Sequence, residues 1–369
     1  MFAMNSKKTM TITKLFVTLA PLVMTTGCAE LLVLFGFPGG TPDTTAPTVE
    51  STSPVGDATN VRLNQKIKPT FSEAMDSSTI STSSFTVMAP GPIAVSGTVT
   101  YDNNVATFSP TASLAPDTIY TATIMTESTD VAGNAIAQNF VWSFTTGKTL
   151  APDPETPVQA TVNLRSAAGF SVLAGSAVSN NAGATVLDGN LGVSPSATVN
   201  GFPPGVVSGT IHAADPTADQ AKLDLTTAFL DAQGRTTNSQ TLPGNLGGLT
   251  FAPGLYTNST SVLISGSGPE NNVTLDAQGD ANAVFIFQMG STLTTGPGSQ
   301  VILSGGAKAT NVYWQIGTSA TLDTTSIFKG NLLAQTSITL NTGATLEGRA
   351  LAQNGAVTLD TNTITTPAP

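Results

Sequence analysis

Cysteine and histidine are almost absent from this chain of 369 residues, which contains one of each. A single cysteine cannot form an intramolecular disulfide, and one histidine without a cysteine cluster cannot build a zinc site. We therefore expect no metal centre and no cofactor. Without crosslinks, the stability of the fold has to come from a large and regular core.

Charged residues are also scarce, at 10% of the sequence, and acidic residues outnumber basic ones to give a net charge of −10. This balance leaves no basic stripe for a phosphate backbone and argues against nucleic acid as a partner. It does not indicate disorder, because 40% of the residues are hydrophobic and recur in short runs. Together with abundant threonine, valine, glycine and proline, the composition predicts a mainly β protein with many turns.

Residues 1–28 have the pattern of an export signal, with lysines before an apolar stretch and small residues leading to Cys28. This end resembles the lipobox of bacterial lipoproteins, except that Thr25 stands where the family usually has leucine. The resemblance implies a lipid on Cys28 that anchors the protein in a membrane. In the alternative, Leu15 to Phe37 stays as a membrane anchor or is cut elsewhere. In both cases we expect an exported protein, either an outer-membrane lipoprotein or a protein at the cell surface or outside the cell.

Residues 48–147 follow a linker at 29–47 and alternate apolar and polar residues between turn signals, which predicts a β-sandwich. The segment resembles the bacterial Ig-like domains of surface-layer and adhesive proteins, and the resemblance implies a spacer. The matching stretches are 47–49 with 53–54, 69–76, 114–120, 130–134 and 142–146. Glu73, Asp76 and Asp130 could gather a Ca²⁺ ion, but we favour their interpretation as solvated loop carboxylates.

A proline-rich linker at 148–160 leads to a C-terminal domain at 161–369 that contains repeats. Four stretches can be superimposed, because each has an apolar strand, a glutamine, a small-residue corner and a Thr-Leu pair. They are 287–293, 314–322, 334–340 and 352–359, and their glutamines follow one another at intervals of 27, 20 and 18 residues. A period near 18–20 residues predicts the coils of a β-solenoid, in which each leucine faces inward and each threonine faces solvent. Each buried leucine contributes about 1.5–3 kcal/mol.

One segment departs from the β pattern. Between Pro216 and Arg235 apolar residues recur at helical spacing, Asp215 stands ahead as a helix start, and Gly234 follows as a stop. The apolar positions are Ala218, Ala221, Leu225, Ala228, Phe229 and Ala232. We predict one amphipathic helix that packs along the solenoid.

These features together resemble the solenoid ice-binding (antifreeze) family of cold-adapted bacteria, fungi and algae. The matching stretches are 192–195, 201–205, 251–256, 330–334, 348–352 and 357–360. The resemblance implies a right-handed, three-faced β-helix with a helix alongside and coils that are not stacked in chain order. It also implies an ice crystal surface as the partner, no enzymatic activity, and a monomer.

In that family the ice-binding face carries short Thr-small-x-Thr/Asn elements, which 342–345 matches, 318–321 nearly matches and 194–198 matches loosely. The implied ice-binding residues are Thr318, Thr321, Thr324, Thr342, Thr345, Thr361, Ser196 and Thr198. Lys329 and Glu347 interrupt the threonine columns, so the sequence leaves open which face binds. In the alternative interpretation, threonine is present only because it favours exposed strands.

The alternative functions are those of an enzyme and of a cell-surface adhesin. An enzyme would need converging carboxylates or a base beside a cation. The charged residues of this domain lie largely in or beside the predicted helix, and we interpret its single histidine, His212 near Asp215, as structural or on the surface. No nucleophile elbow or phosphate loop is found in the sequence. A cell-surface adhesin that binds polysaccharide or another cell would present exposed aromatic rings. The candidates are Trp314, Tyr256 and Tyr313, and at most one of the adjacent pair can face outward.

Overall fold

The computed structural model describes residues 42–152 and 159–367. The predicted leader at 1–28, with Cys28, and most of the first linker lie outside the described residues. Within them, no helix combines the length and the apolar character that crossing a membrane requires.

The first domain is a sandwich of two sheets. Its strands are β1 (Val49–Ser53), β2 (Ala58–Val61), β3 (Lys68–Phe71), β4 (Phe85–Ala89), β5 (Ile93–Ala94), β6 (Gly97–Asp102), β7 (Val105–Pro110), β8 (Ile119–Ile124) and β9 (Phe140–Thr146). The strand orders of the two sheets are β1-β3-β7-β6 and β2-β9-β8-β4-β5. Alternation in β8 buries Tyr120, Ala122 and Ile124, as the sequence predicts. The Phe85 ring packs against Phe108, with ring centroids 5.7 Å apart, between the two sheets.

The second domain is built from short parallel strands. They are β10 (Thr149–Leu150), β11 (Phe170–Ala174), β12 (Val178–Asn180), β13 (Val186–Asp188), β14 (Asn190–Val193), β15 (Val199–Asn200), β16 (Val206–Val207), β17 (Ile211–Ala213), β18 (Gln240–Thr241), β19 (Thr250–Phe251), β20 (Gly254–Asn258), β21 (Val262–Ile264), β22 (Asn272–Asp276), β23 (Phe285–Met289), β24 (Leu293–Thr295), β25 (Gln300–Ser304), β26 (Val312–Ile316), β27 (Ala320–Leu322), β28 (Ile327–Ala334), β29 (Ile338–Leu340), β30 (Thr345–Ala352), β31 (Val357–Leu359) and β32 (Thr363–Thr365). Short 3-10 helices occupy Arg165–Gly169, Gly268–Asn271 and Ala309–Asn311.

These strands pair into three stacks. The covered stack runs β18-β20-β23-β26-β28-β30-β11-β14-β17, and the threonine stack runs β15-β12-β31-β29-β27-β24-β21. The mixed stack runs β10-β19-β22-β25-β28-β30-β32-β13-β16. Strands β28 and β30 belong to two stacks and bend at Gly330 and Gly348. A Cβ atom at Gly348 would collide with the Gly330 carbonyl oxygen, so this bend requires glycine.

The stacking order differs from the chain order, as the resemblance implies. Strands β11, β12 and β13, which lie near the start of the second domain in sequence, pair with β30, β31 and β32, which come last. The predicted alignment of the repeats is right in part. Gln288 pairs with Gln315, but Gln315 then pairs with Leu333 and not with Gln335. Leu293 likewise pairs with Ala320 and not with Leu322, because the loop lengths between the strands differ.

A single helix, α1 (Pro216–Gly234), covers one side of the covered stack. Asp215 caps it by accepting a hydrogen bond from the Ala218 backbone N–H, as its position in the sequence predicts. The six apolar residues predicted to line this helix are all buried. All of them except Ala218 belong to the buried cluster that contains Leu173, Leu333 and Leu351 of the covered stack.

The segment at 148–160, which the sequence predicts to be a linker, begins with a short strand. Thr149 and Leu150 form strand β10, which pairs in parallel with Thr250 and Phe251 of β19. Residues 153–158 lie outside the described part of the chain.

Stability should depend on the inward-facing aliphatic residues of the stacks. Leu340 of the threonine stack is 1% exposed, and its replacement by alanine leaves a cavity between buried neighbours. We expect Leu340→Ala to lower the free energy of unfolding by about 2–5 kcal/mol, measured by urea denaturation. The neighbouring outward change Thr339→Ala is the matched control and should cost less than about 1 kcal/mol. Equal losses in the two variants would contradict the assigned orientation of this strand.

Candidate functional site

The outer surface of the threonine stack carries a column of hydroxyl side chains. In five of its strands, β12, β24, β27, β29 and β31, the middle residue is partly exposed while both neighbours in the strand are buried. The central column consists of Asn200, Ser179, Thr358, Thr339, Thr321, Thr294 and Leu263, in the order of the strands. Four consecutive rows are therefore threonine.

Strand pairing along this column is regular. Thr358 pairs with Thr339, Thr339 with Thr321 and Thr321 with Thr294, without a register shift. Parallel strands lie about 4.7–4.9 Å apart, so the rows from Ser179 to Thr294 extend over about 19 Å. The side chains thus form a lattice with a fixed repeat.

The threonine hydroxyls of the central column are available to a ligand. Within residues 42–152 and 159–367, Thr294, Thr321, Thr339 and Thr358 have no side-chain hydrogen-bond partner. Their branched side chains have restricted χ1 rotamers, so they lose little conformational entropy when a surface contacts them. Each presents a methyl and a hydroxyl group at a defined point.

A second column flanks the central one, about 6.5–7 Å away along the strands. Backbone hydrogen bonds between adjacent strands continue through it, so it keeps the same register. It consists of Thr198, Ala177, Ala356, Ser337, Ser319, Thr292 and Ser261. Neither column contains a charged residue. Asp323 and Asp360 directly follow strands β27 and β31, so their carboxylates lie just beyond the ends of these strands.

The mixed stack has a different outer surface. Lys329 and Glu347 are paired neighbours in the strand register and form a salt bridge, and Asp188 accepts a hydrogen bond from the Ser208 hydroxyl on the same stack. Charged groups hold hydration shells and do not repeat the spacing of neutral hydroxyls. The covered stack offers no outer surface along the strands that pack under α1.

The structure distributes the sequence-predicted site residues over several places. Thr321 lies in the central column and Thr198 in the flanking column of the threonine stack, whereas Thr345 faces outward from the mixed stack. Ser196 lies in the loop before β15 and donates a hydrogen bond to the Thr198 hydroxyl. Thr318 lies at the corner between the covered and threonine stacks, and its hydroxyl is buried.

The remaining three predicted residues lie at the corner between the threonine and mixed stacks, where the chain itself uses their polar groups. The Thr342 hydroxyl donates a hydrogen bond to Asp360 at 2.6 Å, and the Thr361 hydroxyl donates to the other oxygen of the same carboxylate at 3.1 Å. The Thr324 backbone N–H donates to Asp323. These groups stabilise the corner.

Three of the four central threonines were not in the predicted set. None of Thr294, Thr339 and Thr358 matches the full Thr-small-x-Thr pattern. A leucine takes the small-residue position after Thr339 and after Thr358, and a proline takes the place of the second threonine after Thr294. Thr339 and Thr358 do stand in Thr-Leu pairs, whose threonines were predicted to face solvent, and the structure confirms that orientation. That signal could have identified the central column.

The only histidine of the chain has a structural setting. His212 Nδ1 lies 2.7 Å from an Asp215 carboxylate oxygen, and Asp215 caps the helix with its other oxygen. The Ala218 hydrogen bond, and then the bond to His212, hold the pKa of Asp215 below its usual value. In the sandwich, Asp130 is buried and accepts hydrogen bonds from the Ala132 and Asn134 backbone N–H groups, which close its loop.

The second domain is thus a parallel β protein domain with a helix over one stack and an uncharged hydroxyl lattice on another. The chain belongs to the Ice-binding-like family, whose model matches residues 172–365. The model of the bacterial Ig-like domain matches residues 43–146.

Similar proteins carry the corresponding name. The chain is 48% identical over 202 residues to an ice-binding protein of Nostoc sp. (strain HG1), with 54% of this chain and 72% of that protein covered. It is 30% identical to ice-binding protein 1 of Shewanella frigidimarina, with 61% of this chain and 28% of that protein covered.

Solved structures give the same result. A crystal structure of an ice binding protein from an Antarctic biological consortium matches with a TM-score of 0.56 and 52% identity, over 58% of this chain and 95% of that one. The ice-binding protein of the Antarctic ascomycete Antarctomyces psychrotrophicus matches with a TM-score of 0.53 and 42% identity, over 57% of this chain and 100% of that one.

The corner beside the threonine stack should make stability depend on pH. Hydrogen bonds from the Asn341 side chain and from the Thr324 backbone lower the pKa of Asp323 from its usual value of 3.8. Its stabilising contribution is therefore present above about pH 4 and is lost as the pH falls through the lowered pKa. We expect Asp323→Asn to reduce the free energy of unfolding at pH 7, and we expect this deficit to shrink as the pH falls through the lowered pKa of Asp323. A deficit in urea denaturation that stays constant while the Asp323 carboxylate is protonated would argue against this assignment.

Proposed function

We propose that this protein binds ice through the central and flanking columns of the threonine stack. The observation that carries the proposal is the set of four consecutive threonines in the central column. They are in register, and their hydroxyls have no hydrogen-bond partner in the described part of the chain. The names of its relatives support the same ligand. Growth inhibition, inhibition of recrystallisation and attachment of the cell to ice are all consistent with such a surface.

The chemistry of the two columns suits a solid that carries no net charge. Ice offers a repeating array of oxygen atoms, and a rigid lattice of methyl and hydroxyl groups can order water at matching positions. A lysine or glutamate in the lattice would keep its own hydration shell. For this reason we propose the threonine stack, and not the mixed stack with Lys329 and Glu347, as the ice-binding surface.

The three stacks are consistent with the three faces of a right-handed β-solenoid, which we propose as the complete architecture. Strands 18 or 19 residues apart pair in several neighbouring rows, such as Ile327 with Thr345 and Ile338 with Val357. Such spacing suits one coil of three short strands.

We also propose that the protein is exported and held at the outer membrane by a lipid on Cys28, which becomes the first residue of the mature chain once residues 1–27 are removed. In this arrangement the segment 29–47 links the anchor to the Ig-like domain at 48–147, and the ice-binding domain at 161–369 is furthest from it in sequence. A monomer is sufficient, because the lattice lies within one chain.

The test is a bulky substitution in the middle of the lattice. Thr339→Tyr places a ring between Thr321 and Thr358 and should abolish ice shaping and thermal hysteresis, because the ring holds the surface away from ice. The variant should remain folded, since the side chain at this position faces outward. Nanolitre osmometry with microscopy of crystal shape measures both effects.

Thr345→Tyr is the matched control, because it makes the same change at a partly exposed threonine of a parallel strand in the mixed stack. We expect it to retain the activity of the unaltered protein. The reverse result, with activity lost in Thr345→Tyr and kept in Thr339→Tyr, would move the site to the mixed stack. No activity in the unaltered protein would reject ice binding.

Ice binding should also be insensitive to pH. Neither column contains a titratable side chain, so protonation cannot change the surface directly. We expect the same thermal hysteresis at pH 5 and pH 9, where the fold is intact by circular dichroism. A large difference between these two values would indicate that charged corner residues take part.

The alternative of a polysaccharide-binding adhesin receives less support. Trp314 and Tyr256 are completely buried and Tyr313 is 4% exposed, so none of the three is available for stacking on a sugar. A catalytic role is also not favoured, because His212 and Asp215 are engaged at the start of the helix. A glycan array tested beside the ice assays would detect the adhesin function directly.

A further inference from the structure

We propose that the Ig-like domain caps the open end of the parallel stacks and folds with them as one unit. The two domains are joined by a buried leucine, by a strand that crosses the domain boundary and by hydrogen bonds between side chains. This role goes beyond that of a spacer and does not rest on the proposed function.

Leu63 of the sandwich domain packs into the core of the parallel stacks. It follows β2 of the sandwich, yet its side chain is buried in the core cluster of the stacks together with Leu150, Phe251 and Tyr256. The sandwich core is a separate cluster that does not include it. Leu63 is 1% exposed, so the sandwich domain supplies a hydrophobic residue that only the other domain uses.

The segment after the sandwich completes the mixed stack. Strand β10 pairs with β19, which would otherwise be an edge strand of that stack. The backbone N–H of Leu63 donates to the Thr149 carbonyl at 2.9 Å, and the Tyr256 hydroxyl donates to the Leu150 carbonyl at 3.2 Å. The last row of the stack is thus held from both domains.

Polar contacts surround this apolar junction. The Asn64 amide donates to Gln240 Oε1 at 2.6 Å and to the Ala151 carbonyl at 2.7 Å. Lys148 lies 3.3 Å from Asp117 of the sandwich and 3.3 Å from Glu270 of the stacks. These ion pairs are exposed and contribute little to stability on their own, but they join the same two domains.

The open end of any stack of parallel strands has to be covered. A stack of parallel strands leaves its terminal row unpaired and its core open, and repeat proteins close such ends with a different element. The opposite end of the stacks is capped by a loop of the same domain. Phe202, in the loop that joins β15 to β16, packs against the core there. At the end formed by β10 and β18, the Ig-like domain takes this position.

The test uses the full chain and hydrogen exchange followed by mass spectrometry. Leu63→Ala should speed exchange about tenfold or more in β10 and β19, while β8 of the sandwich keeps its protection. Leu63→Val is a milder change for use if Leu63→Ala folds poorly. We expect it to give a smaller increase of exchange in the same strands.

Ile136→Ala is the control, because Ile136 is buried in the sandwich core and lies before the start of β9, away from the junction. It should speed exchange in β8 and β9 more than in β19. If Leu63→Ala and Leu63→Val leave β10 and β19 unchanged, or change only the sandwich strands, the two domains are independent and the proposed cap is wrong.

Discussion

The parallel register of stacked aliphatic residues is the constraint on which the rest of the second domain depends. Leu322 and Leu340 pair in neighbouring strands and are buried, and the threonine before each of them faces outward. Because side chains alternate along a strand, the inward ladder fixes the outward one. A shift of one residue would bury hydroxyls and expose leucines, so the hydrophobic core selects the surface lattice.

Local patterns in the sequence were sufficient to predict an element whose structure depends on its own residues. Asp215, Pro216 and Gly234 bound the helix, and its apolar spacing identifies the buried side. The Thr-Leu pairs gave the orientation of Thr321, Thr339 and Thr358. Pairing partners were harder to predict, because the loops between strands vary in length. Aligning the glutamines therefore placed Gln335 level with Gln315, whereas the backbone pairs Gln315 with Leu333.

The choice of surface could not be made from the sequence for a related reason. Threonines occur on the threonine stack, on the mixed stack and at the corner between them, and a spacing such as that from Thr342 to Thr345 spans two of these places. The outer surfaces of the stacks differ in which side chains lie next to one another on paired strands. Lys329 and Glu347 lie side by side on the mixed stack only because β28 and β30 pair, and that pairing joins residues 18 positions apart.

Closed ends matter for a surface that works as a lattice. The terminal row of any stack has neighbours on one side only, and rows that open locally lose the spacing that a rigid ligand requires. Leu263 of β21 belongs to the row nearest β18, where Leu63 and Leu150 complete the core. Phe202 closes the other end, next to the row of Asn200. With both ends closed, the rows between them keep one register, so the number of ordered threonine rows is set by the length of the stack and not by fraying.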